Sequence, residues 1–291
     1  MNSTNDRYRL ADKMVRRIGY GAMQLAGPGV FGPPRNRDEA LAVLRAAVDA
    51  GVDHIDTAQY YGPAVVNELI REALFPYPDG LALVSKVGGR RDKSGAFLLH
   101  DEPDQLRASI EENLQSLGAE QLTAVNLRLL DGAPAGQRFV DQVGTLATAL
   151  QDGLIAGVGI SNVTREHLIR ALEVTDIVCV QNAYSLADQR SKPVLDECTA
   201  RNIAFVPFGP LGYPREVHDS VLTNPVVTDI AVGHGATPTQ VALAWLLSLA
   251  GNVLLIPGTS SRAHLAENLG AASLRLSDDE VTRLTTAFHR P

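Results

Sequence analysis

The sequence predicts an α/β fold, a closed (β/α)8 TIM barrel. Three observations predict it. Short β-branched and aliphatic runs alternate with helix-like stretches through eight steps in about 240 residues. The runs are apolar on both faces, as parallel strands covered by helices should be. No composition break or linker interrupts the series, so one domain is expected over residues 1–291, with residues 1–15 as an N-terminal extension. The competing doubly wound sheet usually carries an early GxGxxG loop. The glycines of residues 21–34 do not have that spacing.

Residues 15–21 read as the first strand. Residues 37–50 follow as a helix, with apolar positions three and four apart and Gly51 at the end. Residues 52–58 form the second strand and its exit, and residues 64–75 the next helix. The third strand is 81–87. The helix at 103–117 has Asp101 as a candidate cap and Gly118 as a stop. Strand four is 122–130, and its helix is 136–151. Strand five is 154–162, with a helix at 164–172. Strand six is 177–183, with a helix near 191–200. Strand seven is 203–209, helix seven is 238–249, and strand eight is 252–258.

The longest unpatterned stretches are residues 22–36, 88–100 and 209–223. All three follow the C-terminal end of a predicted strand, the rim on which a barrel builds its site. Simple surface loops are the plain alternative for each.

The net charge is −7, and no run of Lys and Arg makes a basic stripe, so neither nucleic acid nor a membrane surface is an expected partner. Cys179 and Cys198 form no CxxC pair, which fits a reduced, cytoplasmic chain with inert thiols. The first residues lack the apolar core of a signal peptide, and no apolar run reaches membrane-spanning length.

Four polar residues stand in or just after these strands: Asp56, Tyr61, Lys86 and Arg128. A lone Asp there ordinarily caps a turn. A Lys in an apolar strand needs a partner, and a plain Lys–Asp ion pair is the simplest one. The set also carries chemistry. An Asp holds the ammonium, and the ammonium is expected to favour the phenolate of a nearby Tyr. An ordinary phenol, with a pKa near 10, relays protons poorly at neutral pH. Such a Tyr can protonate a carbonyl oxygen as hydride reaches the carbon.

The segments DTAQYYG (56–62), SKVG (85–88), LGAEQLTAVNLR (117–128), GVGISN (157–162), VQNAY (180–184), PFGPLG (207–212) and IPGTSSRAHLAENLGA (256–271) together resemble the aldo-keto reductase superfamily, in family order. The resemblance runs from about residue 16 to 288 and implies the barrel. By position it implies Asp56, Tyr61 and Lys86 as catalytic residues. Arg128 falls where the family carries a histidine, and neither His54 nor His100 takes that place. With up to five N–H donors, Arg128 can polarise a carbonyl or hold an anionic group of the substrate. Strand alternation leaves Asn126 on the same face, as a second inward polar group.

The resemblance also implies a nicotinamide cofactor. Ser161, Asn162 and Gln181 fall on the carboxamide positions, and Phe208 on the ring-stacking one. Gly21, Ala22, Met23 and Gln24 match the first loop, beside the nicotinamide ribose. Gly209, Pro210, Leu211 and Gly212 match the pyrophosphate segment. Gly258, Thr259, Ser260, His264, Glu267 and Asn268 match the loop and short helix around the adenosine. Gly258 and His264 replace the usual Lys and Arg that grip a 2′-phosphate, and Arg262 is near enough to compensate. The implied activity is NADPH-dependent reduction of an aldehyde or ketone, with NADH as the alternative cofactor. The substrate is a small-molecule carbonyl, with room for an anionic or polar group. The missing histidine keeps a second class open, a non-catalytic or weakly catalytic nicotinamide sensor. The oligomeric state is left open.

Overall fold

The computed structural model describes residues 6–288. It begins with an antiparallel hairpin, β1 (Arg7–Leu10) and β2 (Lys13–Arg16). The alternating part starts with β3 (Tyr20–Gly21), α1 (Arg37–Asp49), β4 (His54–Asp56) and α2 (Val65–Leu74). A second hairpin follows, β5 (Ala82–Arg91) and β6 (Phe97–His100), then α3 (Pro103–Leu117). Next come β7 (Ala124–Arg128), α4 (Gln137–Gln151), β8 (Val158–Ser161), α5 (Arg165–Leu172), β9 (Ile177–Ala183) and α6 (Lys192–Ala200). The chain continues with β10 (Ala204–Phe208), α7 (Arg215–Leu222), α8 (Pro225–His234), α9 (Pro238–Leu249), α10 (Arg262–Gly270) and α11 (Asp278–Ala287).

Strands β3, β4, β5, β7, β8, β9 and β10 are parallel neighbours in that order. Residues 253–258 close the ring as the eighth stave, bridging Phe205 on one side and Ile18 and Gly21 on the other. The seam carries Leu254 N–H to Phe205 O (2.9 Å), Leu255 N–H to Arg17 O and Gly19 N–H to Leu255 O (both 2.8 Å). The architecture is a (β/α)8 barrel.

Strand alternation sorts the side chains. Ala82, Val84, Ala124, Ala204 and Val206 fill the barrel interior with Leu254 and Ile256. Their sequence neighbours Leu83, Val125, Leu127 and Phe205 join the larger core beneath the helices. Leu10 and Val15, on the first hairpin, belong to the interior cluster and plug its floor. The same inward rows continue upward into Lys86, Arg128, Ser161, Gln181 and Phe208. The period that builds an apolar floor thus delivers a polar mouth.

Helix termini follow their local chemistry. Asn36 caps α1 by accepting from Glu39 N–H at 3.0 Å. Gly118 ends α3 in the left-handed conformation, φ 67°. Trp245, fully buried on α9, stacks on Tyr184 and donates to Thr285 Oγ1 at 2.9 Å, which ties α11 to the body.

Five sequence expectations are refined. The run 15–21 is split: β2 belongs to the hairpin and β3 is only Tyr20–Gly21. The extension assigned to residues 1–15 therefore contains ordered hairpin strands from Arg7, while residues 1–5 lie outside the described part. Residues 88–100, read as a loop, hold the end of β5 and all of β6. A Cβ on Gly89 would meet the Phe97 ring at 2.1 Å, so glycine permits that pairing. Residues 209–223 include α7, which is short and mostly exposed and so gives a weak apolar signal. The cap of α3 is Glu102, with its N–H donating to Gln105 Oε1 at 3.3 Å. Asp101 instead accepts from Gln142 (2.7 Å) and Arg138 (2.9 Å) on α4. No helix of the described residues is long and apolar enough to cross a membrane.

The seam depends on two glycines. A Cβ on Gly21 would stand 2.4 Å from Ile256 O, and one on Gly258 would stand 2.7 Å from Gly21 O. Gly21→Ala should lower unfolding free energy by about 1–3 kcal/mol, the usual cost of overpacking. Gly251→Ala, with no described atom within 4 Å of the new Cβ, is the control and should change little. Denaturant titration of both variants checks this.

Candidate active site

The centre of the mouth is an ion pair. Lys86, from β5, and Asp56, at the end of β4, are 5% and 4% exposed. Lys86 Nζ donates to Asp56 Oδ1 and to Thr57 O, the latter at 3.0 Å. Gln181 Nε2 donates to Asp56 Oδ2 at 2.8 Å. Both carboxylate oxygens and two of the three ammonium protons are therefore satisfied, as a charge pair this buried requires. The partners come from β4, β5 and β9, so only the closed barrel assembles them.

Tyr61 stands on the turn that follows β4. Its N–H bonds Ala58 O at 3.0 Å, and Gly62 N–H bonds Val30 O at 3.2 Å. The left-handed Gly62 (φ 79°) and Ala64 (φ 60°) fold the turn back over the mouth. Tyr60 packs edge-on against Tyr61 and against Phe97 of β6. Lys86 Nζ lies 5.2 Å from the Tyr61 ring centroid, so phenol and ammonium share one side of the barrel mouth. The expected lowering of the Tyr61 pKa is not found. Burial pushes the phenol above its ordinary value, Asp56 adds to the rise, and the positive charges of Arg128 and Arg91 oppose it. Tyr61 is held protonated, the state of a proton donor.

Arg128 ends β7 half-buried. Its guanidinium carbon lies 4.8 Å over the Phe208 ring, and Nη1 donates to Ser161 Oγ at 3.4 Å. Asn126 faces inward one alternation before Arg128, opposite Lys86 in the sheet register, and is fully buried. It accepts from Cys179 Sγ at 3.4 Å, and its Nδ2 has no partner. A Cβ at Gly159 would stand 2.2 Å from its Oδ1. Asn126 thus shares one small buried pocket with His54, Asp56 and Gln181. Burial pushes the Cys179 thiol up to about 12, in keeping with an inert side chain.

The carboxamide positions form a complementary donor set. Gln181 and Asn162 spend their amide nitrogens on protein: Gln181 on Asp56, and Asn162 on Leu129 O (3.0 Å) and Asp131 Oδ1 (2.6 Å). Their oxygens remain acceptors, and the Ser161 hydroxyl remains a donor. A primary carboxamide offers two N–H donors and one carbonyl acceptor, which matches. The Phe208 face is open to contact, with the Arg128 guanidinium carbon 4.8 Å over its ring. A nicotinamide fits these residues.

The remaining positions lie around the same rim. Ala22–Leu25 form a short 3-10 turn with Met23 exposed. Gly209 (φ 60°) and Gly212 (φ 95°) shape a turn around Pro210 and Leu211, closed by Gly212 N–H to Gly209 O at 2.8 Å. Tyr20 Oη donates to Thr259 O at 2.5 Å, fixing the loop of Gly258 and Ser260. Ser261 caps α10, which presents His264, Glu267 and Asn268. Arg262, expected to supply the missing phosphate grip, makes a two-pronged pair with Glu39 of α1 at 3.2 and 3.1 Å.

Sequence reasoning missed Arg91, whose charge acts on Tyr61, and the roof made by Tyr60 and Phe97. Both depend on the β5–β6 hairpin, read from sequence as a loop. A cavity of about 540 Å³ opens on the same rim between Asp131, Asn162, Thr164, Asn182 and Arg190. Of the residues above it shares Asn162 and Asp131, and neither Lys86 nor Asp56 lines it.

Lys86→Met would leave Asp56 buried with Gln181 as its one remaining side-chain donor. It should cost about 3–5 kcal/mol of stability, as for a buried pair broken on one side. Adding Asp56→Asn to that variant should recover part of the loss. Denaturation of the single and double variants measures both.

The aldo/keto reductase family model matches residues 17–288. The chain is 46% identical over 284 residues to pyridoxine 4-dehydrogenase of Escherichia coli K12, covering 97% of this chain and 98% of that protein. It is 33% identical over 276 residues to an uncharacterized oxidoreductase of Schizosaccharomyces pombe, covering 95% and 88%. Among solved structures, a thermostable aldo-keto reductase in complex with the inhibitor epalrestat superposes with TM-score 0.81 at 28% identity, covering 97% and 99%. An aldo/keto reductase from Klebsiella pneumoniae, in complex with NADP and acetate, shares the fold with TM-score 0.80 at 24% identity, covering 98% and 96%.

Proposed function

The chain belongs to the aldo/keto reductase family, and from that premise we propose that it is an NADPH-dependent oxidoreductase reducing a small aldehyde or ketone to an alcohol. The observation that carries this reading is the buried Lys86–Asp56 pair beside a protonated Tyr61 at the barrel mouth. When bound, NADPH supplies the hydride. Ser161, Asn162 and Gln181 would hold its carboxamide, and Phe208 would cover one ring face. The loops at 209–212 and 258–260 and helix α10 would carry the rest of the dinucleotide.

The chain's own task is to orient the carbonyl and deliver a proton. Tyr61 Oη gives its proton to the carbonyl oxygen as negative charge develops there. Lys86, held by Asp56 and Thr57 O, keeps positive charge against the phenol ring and steadies the phenolate left behind. Arg128 can offer N–H donors to the same oxygen or to a neighbouring anion. Arg262 competes for any 2′-phosphate only by giving up Glu39, so the preference for NADPH over NADH is settled by comparing kcat/KM with the two cofactors.

For the substrate we favour a pyridoxal-type hydroxyaldehyde. The full-length 46% likeness to pyridoxine 4-dehydrogenase supports it. A ring phenolate beside an aldehyde also presents two adjacent oxygens, which suit a planar guanidinium.

The test is oxidation of NADPH by pyridoxal, followed spectroscopically. Tyr61→Phe should lower kcat by about 10²–10⁴ with little change in KM, as for loss of a positioned acid. NADPH binding with no oxidation by pyridoxal or a broad aldehyde panel would defeat the enzyme reading and favour a sensor.

The pH dependence follows from Tyr61. Reduction uses the protonated phenol, and burial raises its pKa above about 10. The reductive kcat should therefore stay level from neutrality to about pH 10. The reverse oxidation needs the phenolate and should climb across that interval. A reductive rate that drops steeply near neutrality would contradict this assignment.

A further inference from the structure

Arg128 stands on β7 and Phe208 on β10, with β8 and β9 between them. The guanidinium reaches across that gap. Its carbon lies 4.8 Å over the Phe208 ring, and Nη1 touches Ser161 Oγ at 3.4 Å. It therefore sits between the hydroxyl assigned to the carboxamide and the ring assigned to stacking. Two flat groups cannot share one aromatic face at contact distance.

Resting on the functional reading above, the geometry points to Arg128 as a cofactor-displaced group. Docking of the nicotinamide drives its guanidinium off Phe208 and toward the Tyr61 hydroxyl, where the substrate oxygen is held. Arg128 is thus a placeholder on the cofactor face and a positioning group for substrate only once the cofactor is in place.

Three further observations support the displacement. The Ser161 contact is long for a hydrogen bond. Arg128 makes no salt bridge among the described residues, so no ion pair has to break. Its positive charge is felt at the Tyr61 phenol, the group toward which it would turn. Coupling follows: only with the ring face taken does the guanidinium stand where the carbonyl is held. A second consequence is a charge preference. The oxidised nicotinamide ring is a cation and the reduced ring is neutral. The displaced guanidinium stays beside the ring and therefore disfavours NADP⁺ relative to NADPH.

The experiment is equilibrium titration of NADPH and of NADP⁺ into wild type, Arg128→Met, Phe208→Leu and the double variant, by fluorescence or calorimetry. Arg128→Met removes a competitor for the ring face. It should tighten NADPH roughly three- to tenfold, the size of a partly desolvated cation–π contact. NADP⁺ should gain more than NADPH. In the Phe208→Leu background the same change should have an effect of about twofold or less, since the contested face is gone. Should Arg128→Met fold poorly, Arg128→Lys loses the planar stack while keeping the charge. It should still tighten NADPH, without the extra gain for NADP⁺. Equal or weaker NADPH binding by the Arg128 variants, with wild type binding normally, overturns the displacement and leaves the functional reading standing. Wild type that binds no NADPH overturns the functional reading, and the displacement with it.

Discussion

Everything at the mouth of this barrel depends on placing one ammonium and one carboxylate where water hardly reaches. Burying either charge alone would cost several kcal/mol. Together, Lys86 and Asp56 offset each other, with Thr57 O and Gln181 Nε2 taking up the remaining hydrogen-bonding capacity. Each partner comes from a different strand or strand exit, so the pair exists only if the sheet is in register. Asp56 lies opposite Val84 on β5, which places Lys86 one inward step higher, within reach of the carboxylate. A slip of one residue would turn Lys86 into the helix-covered apolar layer.

The rest of the barrel prepares this position. The inward rows run from small and aliphatic residues at the floor to polar residues at the rim. Leu10 and Val15 seal the lower end, so water approaches the charged layer only from above. Close approach of the staves needs glycines where backbones face one another. Gly21 and Gly258 meet across the seam, and Gly159 leaves room for the buried Asn126 amide. His54, two residues before Asp56 on the same strand, fits because Gly19 has no Cβ to meet its ring. These are packing constraints, and they let side chains from distant parts of the chain converge.

Much of this was legible in the sequence. Strand six at 177–183 and the helices at 103–117 and 238–249 lie where apolar periodicity and end signals put them. Asp56 and Lys86 were visible as polar residues at C-terminal strand ends, which share a rim, whereas Gln181, Ser161 and Phe208 were singled out only by the family resemblance. Three things were not legible. The β5–β6 hairpin is exposed and glycine-rich, so its composition resembles that of a loop although its backbone pairs. The depth of Asn126 depends on its neighbours on β8 and β9, which strand alternation alone does not give. The balance at Tyr61 depends on burial, on Arg128 and on Arg91, and a one-dimensional pattern places the charges without weighing them.

That balance bears on the arginine that replaces the family histidine. A neutral or protonated imidazole can exchange a proton near neutrality, whereas a guanidinium cannot. With Arg128 at this position, no other side chain yet placed at the mouth is a proton donor of comparable strength to Tyr61, because the Lys86 ammonium is committed to Asp56 and Thr57. In the proposed mechanism the division of labour is then sharper than with histidine: Arg128 would contribute charge and direction, and Tyr61 the proton. Burial keeps that proton on the phenol until negative charge appears on the substrate oxygen. In the mechanism proposed above, two cations, Lys86 and Arg128, would then stand close to the phenolate being formed. The phenol's reluctance to ionise in the resting site and its support during transfer thus have separate causes, burial for the first and paired cations for the second, and the fold supplies both.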